Sequence, residues 1–317
     1  MRFGIATPVV TQVPGAHSDW ERHAGIAELA RIAAHADDLG FAHLTCSEHV
    51  AVPVPVAERR GGTYWDPLAT FGYLAARTTG IRFVTQVLVL GYHHPLAIAK
   101  RYGTLDVVSG GRLTLGLGVG TLEEEFALLG APFEGRGPRA DDALRALRAA
   151  LGRPVPEYHG EHYDFDGFLV DPHAVQPRVP LWIGGRTKRS LRRAIALADG
   201  WTPFALSYRT AADMLAETDP PPGFEVVLAA GPLDPLGDPA AAERRIDAAA
   251  AAGATTVNVS IAAESAGHYC EQLTALADLA ARRTDANSGA RAGAAEPAAA
   301  TAESATPRTA GTEDSDG

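Results

Sequence analysis

The sequence predicts an α/β fold: a TIM (β/α)8 barrel with inserted segments and a disordered C-terminal tail. Three observations support this prediction. Short apolar runs alternate with helical patterns between residues 1 and 283, and they make eight strand–helix units. The runs are apolar at nearly every position, which is typical of parallel strands covered on both faces. Eight units in about 280 residues fit a TIM barrel, and a doubly wound sheet is the alternative fold.

Each predicted strand is a short apolar run followed by glycine, proline or polar residues, which favour turns. The predicted strands are 2–7, 43–46, 81–90, 113–120, 180–185, 200–204, 224–231 and 255–260.

The predicted helices have apolar residues at helical spacing or begin at a recognisable capping residue. In the first helix, Ile26 and Leu29 share one face, and Gly40 follows as a C-terminal cap. Asp66 and Pro67 form an N-cap and first-position pair that opens the second helix. The predicted helices are 21–39, 67–76, 95–108, 123–130, 138–151, 187–199, 209–217, 239–252 and 267–283.

Two long segments interrupt the alternation, residues 50–65 and residues 152–179. Long loops in a compact domain are usually functional or disordered, and loops that follow barrel strands lie over the active site. We therefore predict a substrate lid at 50–65. The second segment is aromatic and alternating, and we predict a hairpin there.

The composition excludes several classes of function. The formal net charge is −10, whereas a general polyanion binder needs a basic face, so we expect no nucleic-acid partner. The two cysteines, Cys46 and Cys270, exclude a disulfide scaffold and a four-cysteine zinc module. We find no signal-peptide pattern and no apolar run of roughly 20 residues. We therefore expect a cytoplasmic protein with no membrane partner.

Residues 284–317 differ in composition from the rest of the chain. They contain no Leu, Ile, Val or aromatic residue, and they carry six acidic residues against two arginines. Such a segment buries too little apolar surface to offset the entropy lost on ordering. We therefore predict one folded domain over 1–283 and a disordered low-complexity tail over 284–317.

The first candidate catalytic group is Ser47-Glu48-His49, which ends the second predicted strand. A histidine and a carboxylate at a strand end could transfer protons near neutral pH, or could simply bind loop backbone. In the third strand, Gln86 precedes Val87 inside an apolar run. A buried glutamine needs hydrogen-bond partners, and from periodicity alone a satisfied core amide is the favoured interpretation.

Adjacent histidines His93 and His94 suggest a metal site. Neighbours on a strand point to opposite faces, however, so two adjacent side chains rarely bind one ion. No established metal-binding histidine motif accompanies them. We therefore predict no metal.

Two glycine-rich segments end strands. Gly116, Gly118 and Gly120 are a weak phosphate-loop signal, and they are also consistent with a barrel wall that lets a flat ligand approach. Residues 184–190, Gly-Gly-Arg-Thr-Lys-Arg-Ser, lead from a strand into a helix whose free N–H groups could bind an anion. Cations are disfavoured in the first turn of a helix, so their presence favours a bound phosphate over a solvated basic face.

In order along the chain, these motifs resemble those of the bacterial luciferase-like flavin and deazaflavin oxidoreductases. The resemblance is close over 1–204 and looser to 283, and residues 81–130 are its most specific part. The chain is most similar to the branch that uses coenzyme F420, a deazaflavin. The motifs are MRFGIATP, GFAHLTCSEHV, DPLATFGYLAA, the run from Ile81 to Gly130, and PLWIGGRTKRSLRRAIALADGWTPF.

The resemblance implies a TIM barrel and a set of site residues. It implies a non-proline cis peptide at Gln86-Val87 behind the cofactor ring, His49 facing the reacting carbon or the substrate, and Glu48 bonded to the ring edge. The remaining cofactor contacts that it implies are Gly118, Gly120 and Thr121 along the ring, Gly184, Gly185, Arg186 and Thr187 at the phosphate, and Gly200 and Trp201 closing that side.

The chain departs from the family pattern at two positions near the ring. His93 stands where the family often has Arg, and Thr121 stands where it often has Trp. Both departures bear on which cofactor and which substrate the protein prefers.

The expected function is an F420-dependent oxidoreductase that transfers a hydride between the deazaflavin and a small organic substrate. The alternative is an FMN-dependent monooxygenase that uses molecular oxygen and a separate reductase. A non-catalytic homologue and a metal-dependent hydrolase are further alternatives. Dimers are common among relatives, so a homodimer is a candidate state. Five cations favour the longer, more anionic F420 tail: Arg186, Lys188, Arg189, Arg192 and Arg193.

Overall fold

The computed structural model describes residues 1–293, with side chains up to residue 283. The strands in this part are β1 (Arg2–Ile5), β2 (Thr11–Gln12), β3 (His43–Cys46), β4 (Thr63–Tyr64), β5 (Arg82–Thr85), β6 (Leu88–Val89), β7 (Leu113–Gly118), β8 (Tyr158–His159), β9 (Asp164–Phe165), β10 (Leu181–Gly184), β11 (Gly200–Thr202), β12 (Glu225–Leu233) and β13 (Thr256–Ile261).

The α-helices of the same part alternate with these strands. They are α1 (Ile26–Asp38), α2 (Val54–Arg60), α3 (Pro67–Ala75), α4 (Pro95–Ser109), α5 (Glu123–Leu128), α6 (Arg136–Ala150), α7 (Lys188–Leu197), α8 (Tyr208–Ala216), α9 (Pro239–Ala251) and α10 (Ala266–Gly293).

Eight parallel strands close into a barrel in the order β1, β3, β5, β7, β10, β11, β12, β13. Leu181 of β10 lies opposite Leu115 of β7. Phe3 of β1 lies opposite Val257 of β13, which completes the ring. The predicted TIM barrel is confirmed, and the doubly wound sheet is excluded because an open sheet would leave two edges unpaired.

The main apolar core lies between the barrel and its helices. Leu44 and Phe83 are fully buried there, together with apolar residues of the surrounding helices. A second, small cluster consists of Val84, Trp182 and Val227. These residues alternate along their strands with members of the main core, so they lie on the barrel's inner face. Much of the rest of that inner face is polar.

Four predicted elements differ from the structure: the first helix, the third strand, the segment 50–65 and the last helix. The first helix begins at Ile26 and not at residue 21, because residues 19–22 form a 3-10 turn and Gly25 breaks the helix between them. The predicted third strand is split into β5 and β6 at a cis peptide bond between Gln86 and Val87.

The segment 50–65, predicted as irregular, contains α2 and β4. The strand β4 pairs with β2 through Thr11 opposite Tyr64, so backbone hydrogen bonds from outside the segment order it. The hairpin predicted within 152–179 is present, because β8 and β9 pair antiparallel with Tyr158 opposite Phe165.

The chain divides into two compact units, residues 1–279 and residues 280–317. The first contains the barrel. The helix α10 continues to Gly293, past the predicted start of the tail at 284. Residues 294–317, the remainder of the predicted tail, lie outside the described part. No helix within the described residues is long and apolar enough to cross a bilayer.

Candidate active site

The side chains that the sequence singled out as catalytic lie at the carboxyl end of β3, where barrel enzymes place their active sites. Glu48 and His49 directly follow this strand. They do not bond to each other. Each one instead pairs with a residue from another strand–helix unit, and this makes two separate histidine–carboxylate pairs.

His49 pairs with Glu125, the third residue of α5. The Nδ1 atom of His49 lies 2.6 Å from Oε2 of Glu125. An ionised carboxylate only accepts hydrogen bonds, so Nδ1 carries the proton in the neutral ring and Nε2 keeps a lone pair. Nε2 has no hydrogen-bond partner among the described residues, and the side chain is 19% exposed. His49 can therefore accept a proton from a ligand at the barrel mouth.

Glu125 holds several groups besides His49. Its Oε1 accepts hydrogen bonds from the backbone N–H groups of Val50 at 2.6 Å and Ala51 at 3.2 Å. Its Oε2 accepts one from the hydroxyl of Tyr92 at 2.7 Å. Burial raises the pKa of Glu125, but the hydrogen bonds from Tyr92, His49 and Ala51 outweigh it and leave the pKa below its ordinary value. The carboxylate therefore stays ionised and anchors the start of the segment 50–65.

Glu48 forms the second pair. Its Oε1 lies 2.7 Å from Nε2 of His93, and its Oε2 accepts the backbone N–H of Val89 at 2.7 Å. The Glu48 backbone N–H donates to the carbonyl of Val87 at 3.4 Å. Glu48 thus connects β3 to the bond between Gln86 and Val87. His93, at one of the two positions where the sequence departs from the family pattern, is the partner of this carboxylate.

The peptide bond between Gln86 and Val87 is cis, as the resemblance implied. The Gln86 side chain is held at both ends inside the barrel. Its amide nitrogen donates to Oγ1 of Thr202 at 2.8 Å, and its amide oxygen accepts from Nδ2 of Asn258 at 2.9 Å. Nε2 of His43 lies 3.2 Å from Oδ1 of Asn258. This chain of four residues gives hydrogen-bond partners to the half-buried Gln86 amide, whose partners the sequence could not identify.

His43 makes folding stability depend on pH. Burial lowers the pKa of His43 from 6.5 to about 4. Between these two pH values the imidazole is therefore protonated in the unfolded chain and neutral in the folded chain. The stabilising contribution is complete above pH 6.5 and is lost as the pH falls towards 4; it amounts to about 3 kcal/mol. We expect His43→Gln to lose this part of the pH dependence of the free energy of unfolding.

Urea unfolding at pH 7, 5.5 and 4.5 measures this dependence. His23→Gln, which changes an exposed histidine, is the control and should follow the unmodified protein. If the free energy of unfolding fell equally with pH in His43→Gln and in the unmodified protein, the assignment to His43 would be contradicted.

Gly118 and Gly184 both lie directly against the side chain of Val87. A Cβ atom at Gly118 would lie 2.6 Å from one methyl group of Val87, and one at Gly184 would lie 2.7 Å from the other. Both glycines, predicted as cofactor contacts, thus leave room for the Val87 side chain. Gly120 has φ +79°, and a Cβ there would meet the ring of Phe126 at 2.5 Å.

Thr121 is exposed at the same mouth. Its hydroxyl accepts a hydrogen bond from Nη1 of Arg60, at the end of α2, at 3.4 Å. Tyr64 packs edge-on against His49 with ring centroids 4.6 Å apart. The segment 50–65 therefore reaches across to the loop after β7 and covers one side of His49.

The predicted phosphate loop joins β10 to α7. Gly185 has φ +120°, which only glycine adopts readily, and Thr187 caps α7 by accepting the N–H of Ser190 at 3.2 Å. Arg186 is exposed beside them. Trp201 is fully buried, and its indole N–H donates to the carbonyl of Gly185 at 3.1 Å. Trp201 therefore positions the loop from behind.

Gly200 packs tightly against Trp182 and the backbone of Glu225, and it begins β11 two residues before Thr202, which lies opposite Gly184. Its contact with a cofactor stays a prediction. Two of the five cations are engaged elsewhere: Arg193 is buried and binds Asp141, and Lys188 pairs with Glu217 at 2.5 Å. The charge argument therefore rests on the three others, Arg186, Arg189 and Arg192.

Sequence reasoning missed four residues of the site: Glu125, Tyr92, Thr202 and Asn258. Glu125 follows two other acids in a helix's first turn, where acidic residues are common for electrostatic reasons. In the sequence, the neighbouring apolar Phe126 is the sign that marks Glu125. In the structure both residues are buried, while Glu123 and Glu124 are exposed. Asn258 interrupts an apolar strand, which is a detectable sign of a buried polar contact.

No group of three or more His, Cys, Asp or Glu side chains in the described part is arranged to hold a metal ion. His93, considered as a ligand, is engaged with Glu48.

Known proteins that are similar in sequence match part of this chain. An uncharacterised protein of Mycobacterium tuberculosis is 32% identical over 182 residues, which is 54% of this chain and 62% of the relative. Another protein of that organism, provisionally named a coenzyme F420-dependent oxidoreductase, is 29% identical over 194 residues, 57% of this chain and 52% of its own. The matches thus span less than two thirds of these relatives.

Solved structures share the fold at low identity. A monooxygenase from Streptomyces bottropensis aligns with a TM-score of 0.70 and 21% identity, over 90% of this chain and all of the other. An F420-dependent secondary alcohol dehydrogenase, in complex with an F420–acetone adduct, aligns with a TM-score of 0.66 and 13% identity, over 86% and 98%. The family model of the luciferase-like monooxygenases matches residues 1–315, and the chain belongs to that family.

Proposed function

We propose that the protein is an F420-dependent oxidoreductase that transfers a hydride between the deazaflavin and a small organic substrate. The observation that carries the proposal is the His49–Glu125 pair, which presents a free imidazole nitrogen at the barrel mouth beside Glu48 and the Gln86–Val87 bond. A relative and a solved structure with this fold carry F420 in their names, and this supports the choice of cofactor.

The residues present fit a phosphate-bearing cofactor with a flat ring. Gly185 takes a backbone conformation that opens the loop before α7, and the exposed Arg186 and Thr187 stand at that opening. A helix N-terminus with an exposed arginine favours an anion. Val87, set between Gly118 and Gly184, gives a smooth apolar surface against which a ring could lie.

Bound F420 would supply a ring carbon that gives or accepts a hydride. His49 would take the accompanying proton at Nε2 or return it, according to the direction of the reaction. Glu125 holds the imidazole in the required tautomer. Glu48 keeps His93 and the strand end in place next to the ring. Tyr64 covers His49 from the side of the segment 50–65 and limits the access of water.

The second candidate is an FMN-dependent monooxygenase that uses molecular oxygen and a separate reductase. The solved monooxygenase with 21% identity favours it, because that chain is matched over its whole length. The phosphate loop would accept either cofactor. Arg186, Arg189 and Arg192 are exposed, and they favour the more anionic tail of F420 by electrostatic attraction.

Fluorescence titration of the full chain with F420, and separately with FMN, tests the proposal. We expect saturable quenching with F420 and weaker binding of FMN. Tight binding of FMN alone would move the assignment to the monooxygenase. Binding of neither cofactor would overturn both functions. Arg186→Ala should weaken F420 binding more than FMN binding, while Arg244→Ala, an exposed arginine on α9, serves as the matched control.

A further inference from the structure

A pocket opens at the carboxyl ends of β1, β3 and β13, on the same mouth as His49 but on the side towards α10. Its volume is about 260 Å³, and its lining includes Thr11, Glu21, Ser47, Gln86 and Tyr269. This is slightly below the ~300 Å³ at which sites for drug-sized molecules begin. Gln86 belongs to both the pocket and the hydrogen-bonded chain next to the cis bond, so the pocket adjoins the proposed ring site.

Two hydroxyl groups of this pocket lack partners. The hydroxyl of Tyr269 and Oγ1 of Thr11 are buried, and neither has a hydrogen-bond partner among the described residues. Tyr269 is only 1% exposed, and Trp20 packs edge-on against its ring at 6.2 Å. Buried polar groups are normally satisfied, so two such groups around one pocket indicate a ligand or water that completes them.

Two other polar residues of the lining, Ser47 and Glu21, are satisfied within the protein. The Ser47 hydroxyl donates to the carbonyl of Gln86 at 2.7 Å. The Glu21 oxygens accept the backbone N–H groups of Val9 at 2.7 Å and Ser18 at 2.8 Å. Tyr269 and Thr11 therefore carry the buried hydroxyls without partners in the described part of this pocket, and the partly exposed Ser260 hydroxyl can also contact a ligand.

The charges around the pocket restrict the ligand further. Glu21 is the acidic residue of the lining, and no Lys or Arg is among the described residues there. His17 also lines the pocket, but its Nδ1 donates to the carbonyl of Val13 and its Nε2 accepts from Nε of Arg22. An anion would meet the Glu21 carboxylate without a compensating cation. A cation would have to share the Glu21 oxygens with the backbone N–H groups that they already accept. Burial, reinforced by the charge of Glu21, raises the pKa of Tyr269, so its hydroxyl remains protonated and donates.

We propose that this pocket binds the organic substrate, and that the substrate is a small uncharged molecule with a carbonyl or hydroxyl oxygen that accepts from Tyr269 and contacts Thr11. This inference rests on the proposed function, because it places the substrate beside the proposed ring site. It makes Tyr269 a substrate-binding residue that donates to the substrate oxygen, while the Glu21 carboxylate disfavours anionic substrates.

Ligand-observed NMR titration of the full chain with four probes of one shape tests this assignment. The probes are cyclohexanone, cyclohexanol, cyclohexanecarboxylate and cyclohexylamine. We expect the ketone and the alcohol to bind more tightly than the two charged probes. Tyr269→Phe keeps the buried ring and should raise the Kd of cyclohexanone about fivefold to tenfold, the loss expected for one buried hydrogen bond. Thr11→Val should act in the same direction.

Tyr208→Phe is the matched control, because it removes a hydroxyl that is bound elsewhere, to the carbonyl of Ala229 at 2.8 Å. An equal loss in this control, or unchanged binding in both pocket variants, would overturn the inference, as would tighter binding of a charged probe. Displacement of cyclohexanone by saturating F420 would assign the pocket to the cofactor and also overturn it. If the protein bound F420 but none of the probes, the pocket assignment alone would be refuted. If it bound the probes but not F420, the proposed function would be refuted.

Discussion

Replacement of His49 by alanine is expected to lower kcat about 10²- to 10⁴-fold, which is the range typical of the loss of a positioned acid or base. The Kd for F420 should change little, since the substitution leaves the loop between β10 and α7 untouched. Single-turnover kinetics with F420 and a substrate found by screening, together with the fluorescence titration, measures both quantities.

The matched control for this variant is His159→Ala. His159 also pairs with a carboxylate, at 2.6 Å from Asp164, but it lies on the exposed hairpin β8–β9. Its removal should leave kcat unchanged. Glu125→Gln should lower kcat as well, because it removes the carboxylate that holds Nδ1 of His49. If His49→Ala retained full activity, the proton-transfer role would have to be given to another group.

Replacement of Gly185 by alanine is expected to weaken F420 binding about 10- to 100-fold. The residue has φ +120°, and a Cβ there would lie 2.9 Å from Cβ of Ser190. Ser190 donates to the Thr187 carbonyl and accepts its N–H, so pressure on Ser190 distorts the first turn of α7. The loss corresponds to one or two charge-assisted hydrogen bonds to a phosphate.

The backbone strain of this variant must be separated from its effect on the ligand. Gly167→Ala places alanine at φ +67° with open space around it, and it lies far along the chain in the segment after β9. In both variants the free energy of unfolding, measured with urea, should fall by at most about 3 kcal/mol. The Kd for F420 should rise in Gly185→Ala alone. A similar rise in both would show that general destabilisation, and not the loop, governs binding.

Most of the fold followed from patterns of a few residues. The eight barrel strands were predicted because parallel strands that are covered on both faces must be apolar throughout. Capping residues such as Asp66, whose side chain accepts the N–H of Ala69 at 2.9 Å, marked a helix start correctly. Errors occurred where order depends on distant partners: the pairing of β2 with β4 structures a segment whose own sequence looks irregular.

The site was predicted less completely, and the reason lies in the distance along the chain between its members. Glu48 and His49 were recognised because they end a strand, but their partners could not be. His49 meets Glu125 across 76 residues, and Gln86 meets Asn258 across 172. Which glutamate of a row of three turns inward depends on how α5 packs after β7. The same holds for Arg193, whose charge is neutralised by Asp141 on another helix.

Local sequence patterns were thus sufficient for the number of strands, their order of alternation with helices and the strand ends at which polar side chains would gather. Periodicity encodes which face of an element is buried, and that information is local. Only the folded barrel decided which histidine pairs with which carboxylate, which cations remain exposed, and that Tyr269 and Thr11 share a pocket. These are properties of side chains that meet through closure of the barrel, and no short segment contains both partners.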